Sequence, residues 1–220
     1  MITTYSDYCH DLFAWVVNNR KNDGYLVDIG ARGPTNSNSL FLLQQGWSGT
    51  LIDQHDHTDQ WTMHKVKFYA INATIKEKLD EAFKTVPDVV DYLSLDIDEN
   101  GLKCLNAIDL NKFKFKCITI EHNKAYSQQQ EEPQREILNK YGYFLLVKNF
   151  GMGEDWWVHP DFIDIEEFEY LNKLSETTRA LSKIHTDSIT EIGISIDNAT
   201  PLMNYILKNN ESIELLRDGL

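Results

Sequence analysis

The sequence predicts an α/β protein: a doubly wound, mostly parallel sheet with helices packed on its faces. Three observations carry this. Short apolar, β-branched runs alternate along the chain with helix-length amphipathic runs. The stretch Gly24-Tyr-Leu-Val-Asp-Ile-Gly-Ala-Arg-Gly33 reads as a strand, a tight turn and the approach to a helix. Four strands end on chemically useful residues: Asp28, Asp53, Asp96 with Asp98, and Glu121 with His122.

The elements follow in order. Tyr8, Leu12, Trp15 and Val16 give a helical pattern over residues 5–19, with Thr4 and Asp7 spaced as a helix-starting box. Residues 25–29 are the first strand. Leu40 to Leu43 mark a helix over 38–45, closed by Gly46 where a left-handed C-cap is cheapest. Strands are expected over 47–53 and 66–71, a helix over 74–84, and a strongly apolar strand over 89–97. A short helix over 102–108, a strand over 115–120, a helix over 133–140 and a strand over 143–148 complete the alternation. Residues 154–160 read as a seventh strand or a lid, 162–174 as a helix, 189–196 as a strand, and 202–216 as an amphipathic segment.

Size and composition limit the function. With 220 residues, 42% hydrophobic and 25% charged, the chain builds one full core. Residues 1–220 are therefore read as a single domain, with 1–22 as an N-terminal helical addition and 161–220 as a C-terminal helical and strand addition. Acidic residues outnumber basic ones by 34 to 21, for a net charge of −13. No broad cationic surface is available to neutralise phosphates, so nucleic acid is not an expected partner. Cys9, Cys104 and Cys117 have neither disulfide-framework nor zinc-site spacing. No apolar run reaches the length of a membrane span. A cytoplasmic location without membrane attachment is the expectation.

In open α/β sheets the ligand lies beyond the carboxyl ends of the strands, where the four acidic ends collect. Gly30 and Gly33 let the backbone approach a ligand closely. Asp53, at the end of the second strand, is placed to accept hydrogen bonds from two ribose hydroxyls. Together they imply a nucleoside-type ligand.

Five motifs in register sharpen this. Val27-Asp-Ile-Gly-Ala31, Ser37-Asn-Ser39, Gly46-Trp-Ser-Gly49, Tyr92-Leu-Ser-Leu-Asp-Ile-Asp98 and Ile120-Glu-His-Asn123 resemble the FkbM-type family of S-adenosylmethionine-dependent methyltransferases. The resemblance spans about residues 24–160. It implies the Rossmann-like class I methyltransferase fold, a seven-stranded sheet with the last strand antiparallel. It also implies S-adenosylmethionine as cofactor and O-methylation of a sugar, glycan or similar small hydroxyl-bearing metabolite. Asp28, Gly30 and Gly33 then surround the methionine part of the cofactor and Asp53 holds the ribose. Ala31, Ser37, Asn38 and Asp96 complete the expected cofactor set. Family members often carry Asn-x-Gly after the alanine and Glu at the second strand end, where this chain has Arg32-Gly33 and Asp53.

Methyl transfer to oxygen needs an aligned acceptor and a group that takes up the hydroxyl proton. Asp98, His122 and Glu121 are the candidate catalytic residues. Asp96 and Asp98 share a face if their strand continues that far. With Glu121 they also make an oxygen set for a divalent cation such as Mg²⁺ or Mn²⁺. Arg32, Asp155 and Trp156 are acceptor candidates; Trp156 and Trp157 read equally as an aromatic floor for a sugar or as core aromatics. His55, His57 and His64 read as surface loop residues. Acceptor recognition is expected in residues 125–132 and after 151.

Three rival readings are open. A metal-dependent glycosyltransferase would use Asp96-Ile97-Asp98 to hold a nucleotide-sugar cation, but it leaves the 27–33 loop unexplained. A catalytically inactive binding module would not need acids at several strand ends. A nicotinamide dehydrogenase fails on glycine spacing and on the separation of Tyr143 and Lys148.

Overall fold

A computed structural model describes residues 2–6, 8–62, 64–122, 130–150, 153–163 and 213–215. The short strand Ile2–Thr4 (β1) pairs in parallel with Ile213–Leu215 (β9). Helix α1 (His10–Val17) leads into β2 (Tyr25–Ile29), α2 (Leu40–Gln44) and β3 (Ser48–Asp53). Next come β4 (Val66–Ala70), α3 (Lys76–Ala82), β5 (Val89–Leu95) and α4 (Gly101–Ala107). The remaining elements are β6 (Lys114–Glu121), α5 (Glu131–Lys140), β7 (Phe144–Phe150) and β8 (Glu154–Val158).

Seven strands form one sheet in the order β4-β3-β2-β5-β6-β8-β7. The sheet is mixed. Strands β2 to β6 pair in parallel, whereas β8 runs antiparallel to both β6 and β7. The seven strands and the reversed last one are what the resemblance implied. The chain winds outward from β2 to β3 and β4, then crosses back to β5 on the other side of β2. That reversal makes the β2/β5 carboxyl edge a topological switch point, where such sheets open a crevice.

Buried side chains separate into two layers because successive residues of a strand face opposite ways. One face packs Leu12, Phe13, Phe41, Leu42 and Trp47 of the α1/α2 side against the sheet. The other packs Leu79, Phe83, Leu105, Phe113 and Leu138 of the α3/α4/α5 side. Trp156 belongs to the first layer and Trp157 to the second, and both are fully buried.

Three local expectations change. Helix α1 starts at His10, not near residue 5, because the Asp11 carboxylate gathers the preceding segment: it accepts from Thr4 Oγ1 at 2.5 Å and from Tyr5 N at 3.0 Å. Strand β5 stops at Leu95, since Ile97 leaves extended geometry and Asp98 takes φ 51° at the start of a 3₁₀ turn. Residues 154–158 are a strand of the sheet, not a lid. The expected helix over 162–174, strand over 189–196 and most of the amphipathic segment over 202–216 lie outside the described residues. Among the described residues no helix is long and apolar enough to cross a membrane.

Candidate functional site

A cavity of about 510 Å³ opens at the carboxyl ends of β2, β3, β4 and β5. That volume falls in the ~300–1,000 Å³ range of small-molecule pockets. Gly30, Arg32, Asp53, Asp96 and Asp98 line it, whereas Asp28, Glu121 and His122 of the expected strand-end set do not. Gln54, His55, His57 and the loop Ile71-Asn72-Ala73-Thr74 line it as well.

The glycine loop is shaped by its neighbours. Gly30 has φ 98°, and a Cβ there would lie 1.8 Å from the carbonyl oxygen of Asp96. Only glycine fits between the two strand ends. A Cβ on Gly33 would lie 2.1 Å from Gln60 Oε1. The Asp53 carboxylate accepts from Arg32 N at 3.2 Å and from His55 N at 2.8 Å. Trp61 Nε1 donates to the Arg32 carbonyl at 2.8 Å. The loop is thus pinned from below, and Asp53 faces the cavity with carboxylate lone pairs to spare.

The remaining residues of the expected cofactor set stand behind the loop. Asp28 is buried and accepts from Ser39 Oγ at 2.5 Å. Burial, opposed by hydrogen bonds from Ser39 and Ser94, pushes its carboxyl up to about 7, and the charges of Asp96 and Asp53 add to the rise. Ala31 is buried, with its N–H on the Ile52 carbonyl. Ser37 Oγ accepts from Ser39 N and Leu40 N at the start of α2. Asn38 Nδ2 donates to Ser94 Oγ at 3.1 Å, and its Oδ1 accepts from Ser6 Oγ at 2.7 Å. These residues hold the loop in place; they do not line the cavity.

Beyond Asp96 the edge is acidic. Glu121, at the end of β6, is hydrogen-bonded to Asp96, and burial with the charges of Asp96 and Asp98 pushes its carboxyl up to about 8. Glu154, opposite Glu121 in register, is held well above the usual carboxylate range by burial and by Asp96, Glu121 and Asp155. His10 Nε2 lies 3.7 Å from Glu154 Oε2, and burial lowers this imidazole to about 4.

Several candidates are redirected by this geometry. Glu121 and His122 are neighbours in sequence but face opposite sides of the sheet. His122 is fully buried, its ring nitrogens make no hydrogen bond, and Nε2 is 3.6 Å from Asp155 Oδ1. Asp155 is in turn gripped by Arg135, through Nε at 2.7 Å and Nη2 at 2.9 Å. Burial alone would raise Asp155, yet His122 and Arg135 hold it below the usual range. Asp155 is therefore half of an internal ion pair instead of an acceptor contact. Trp156 stacks on Phe13 at 4.7 Å inside the core, so no aromatic floor for a sugar forms there. Asp96 is half-buried and Asp98 exposed, because the strand ends before their alternation applies. Among the described residues no three His, Cys, Asp or Glu side chains are grouped to hold a metal ion. The cation set of Asp96, Asp98 and Glu121 is thus not assembled.

No protein-family model matches the chain, and no curated protein matches it. Among solved structures, Burkholderia thailandensis 1,6-didemethyltoxoflavin-N1-methyltransferase, bound to 1,6-didemethyltoxoflavin and S-adenosylhomocysteine, is similar at 14% identity. That match covers 70% of this chain and 76% of the other, with a TM-score of 0.42. A fibrillarin/Nop5p complex is similar at 11% identity over 70% of this chain and 81% of the other, with a TM-score of 0.45. A third, a candidate methyltransferase from Streptococcus mutans in complex with S-adenosylhomocysteine, matches at 10% identity over 67% and 90%, with a TM-score of 0.41. All three TM-scores fall below 0.5, so no chemistry is inferred from them.

Sequence reasoning missed the Asn72-Ala73-Thr74 wall, His55 and His57 as cavity residues, and His10 with Glu154. A turn signal was present at the first, since Asn72 Oδ1 accepts from Thr74 N and Oγ1. Glu154 carried a signal too: it is a charge beginning a run of fully buried strand residues.

Proposed function

We propose that this chain is an S-adenosylmethionine-dependent methyltransferase of the FkbM type that methylates a hydroxyl of a sugar, glycan or similar small metabolite. The single observation that carries the reading is the Glu121–Asp96 carboxyl pair beside a cavity built at the switch point. The residues present fit the cofactor. Gly30 supplies close backbone approach, Asp53 supplies a carboxylate for a ribose diol, and residues 71–74 with Ile52 supply a wall for the base. Bound there, the cofactor would supply an electrophilic methyl group, its S–CH₃ bond exchanged for the acceptor's O–CH₃ bond with S-adenosylhomocysteine as the leaving product.

Glu121 takes up the hydroxyl proton. A base is most effective when its pKa lies near the working pH, and Glu121 at about 8 meets that condition. Asp96 shares a hydrogen bond with it and so orients it. Asp98, on the exposed rim of the same cavity, is positioned for the acceptor side. Arg32 is exposed at the cavity mouth and is assigned to acceptor contact. Cys9, Cys104 and Cys117 are buried and unpaired, which supports a reducing, cytoplasmic setting.

Calorimetric titration with S-adenosylhomocysteine tests the reading. Wild-type protein is expected to bind it, and Asp53→Ala to bind it at least about tenfold more weakly, as loss of a charged hydrogen-bond pair implies. Absence of heat with this ligand, together with binding of a nucleotide sugar, would overturn the proposal in favour of a glycosyltransferase.

A further inference from the structure

Like charges meet at one corner of the sheet edge. Glu121 and Glu154 are direct register partners across the antiparallel β6–β8 pair, so both side chains emerge on the same face. Like charges placed directly opposite destabilise a strand pair. Arg135, the nearby cation, is engaged by Asp155, Glu131, Glu132 and Asn149 on the other face.

A second observation is independent of those charges. His10 is 3% exposed, and its Nδ1 lies 3.1 Å from Asn38 Oδ1. That oxygen only accepts, so Nδ1 carries the proton and Nε2 presents a bare lone pair. Nε2 has no hydrogen-bond partner and stands 3.7 Å from Glu154 Oε2. Glu121 Oε2 is likewise buried without a partner. Buried polar atoms are ordinarily satisfied, so these two unpartnered atoms beside Glu154 mark a place for a donor.

A third observation gives the donor its class. The half-buried rings of Tyr8 and Phe150 meet edge to face at 5.9 Å, and Tyr8 stands 5.9 Å from His10. Phe150 is the register partner of Glu154 on β7. Aromatic faces beside carboxylates and a lone pair suit an ammonium group.

We propose that this corner is an acceptor subsite for a cationic amine: the acceptor is an amino-bearing alcohol whose ammonium sits against Glu154, His10, Tyr8 and Phe150 while its hydroxyl faces Glu121. The proposal rests on the methyltransferase reading. It narrows the acceptor class from any sugar or metabolite to an amino sugar or amino alcohol. A neutral sugar would leave Glu154 facing Glu121 with no compensating charge. Burial, together with the charges of Asp96, Glu121 and Asp155, raises the Glu154 carboxyl well above its ordinary range. An arriving ammonium stabilises its ionised form, so binding releases a proton.

The test titrates protein saturated with S-adenosylhomocysteine against glucosamine and 2-aminoethanol, each beside its neutral counterpart, glucose and ethylene glycol. Two buffers of different ionisation enthalpy report the proton. The expected result is at least about tenfold tighter binding of the amines, with proton release. Glu154→Gln should abolish both the preference and the release while leaving S-adenosylhomocysteine affinity unchanged. Phe150→Leu, which keeps every charge, should weaken the amines several-fold and keep the release. Equal affinity for amine and neutral partner, no binding of either amine, or a preference that survives Glu154→Gln would each overturn the subsite. So would Mg²⁺ alone binding here and displacing the amine. Failure to bind S-adenosylhomocysteine overturns the methyltransferase reading instead, and amine titration of the unloaded protein then still reads the subsite.

Discussion

Gly30 and Asp96 approach so closely that a Cβ on residue 30 would lie 1.8 Å from the Asp96 carbonyl oxygen. The same carbonyl belongs to the residue whose side chain meets Glu121. One backbone contact therefore joins the glycine loop, the end of β5 and the candidate base, and it does so where the sheet reverses its winding.

Gly30→Ala tests that contact. The added methyl must push β2 and β5 apart and also adopt φ 98°, which L-residues avoid. A loss of at least about 1–3 kcal/mol is expected from overpacking, together with loss of S-adenosylhomocysteine binding. Thermal unfolding and calorimetry check it; an unchanged melting temperature would show that the contact is slack.

If Glu121 is the base, it works ionised. Its carboxyl is pushed up to about 8, so turnover should rise with pH and level off above that value. Glu121→Gln should lower turnover by roughly 10²–10⁴-fold and remove the limb from the pH profile, with cofactor affinity retained. A limb that persists in the variant assigns the titration to another group.

Asp28 makes stability depend on pH with a defined sign. Its folded value, about 7, lies above its ordinary 3.8, so between these the folded state holds more protons than the unfolded one. Its stabilising contribution is full below about pH 4 and is lost as pH rises through about 7. Asp11 and Glu121 act in the same sense, whereas His10, lowered to about 4, acts in the opposite sense between about pH 4 and 6.5. Asp28→Asn mimics the protonated acid. Its melting temperature relative to wild type should climb from pH 5 to pH 8, and a constant difference across that range would remove Asp28 as the source.

The Arg135–Asp155 pair is sealed on both sides, at 4% and 2% side-chain exposure. Breaking one partner strands the other charge, at a cost of about 3–5 kcal/mol. Asp155→Asn should therefore unfold the protein at lower denaturant without a selective effect on acceptor binding. A variant that folds normally but loses only acceptor affinity would return Asp155 to the acceptor site.

The alternation of strand and helix was legible in the sequence because buried parallel strands are rich in apolar and β-branched residues, as β2, β5 and the second half of β6 are. The strand-end acids Asp53, Asp96 and Glu121 were legible for a related reason: a charge ending an apolar run has to lie at the sheet's edge. His122 was misread because adjacent residues at a strand end leave on opposite faces, and spacing alone does not say which face holds the cavity. Trp156 was open between floor and core until its stacking on Phe13 was seen.

By itself, then, the sequence determined the α/β class, the glycine turn and the acidic strand ends, since each follows from local conformational and burial rules. Only the tertiary structure decided which of those ends meet. The reversed β8 inserts Glu154 opposite Glu121, and the first turn of α1 brings His10 to the same corner. Both depend on contacts between residues far apart in sequence, which no local pattern records.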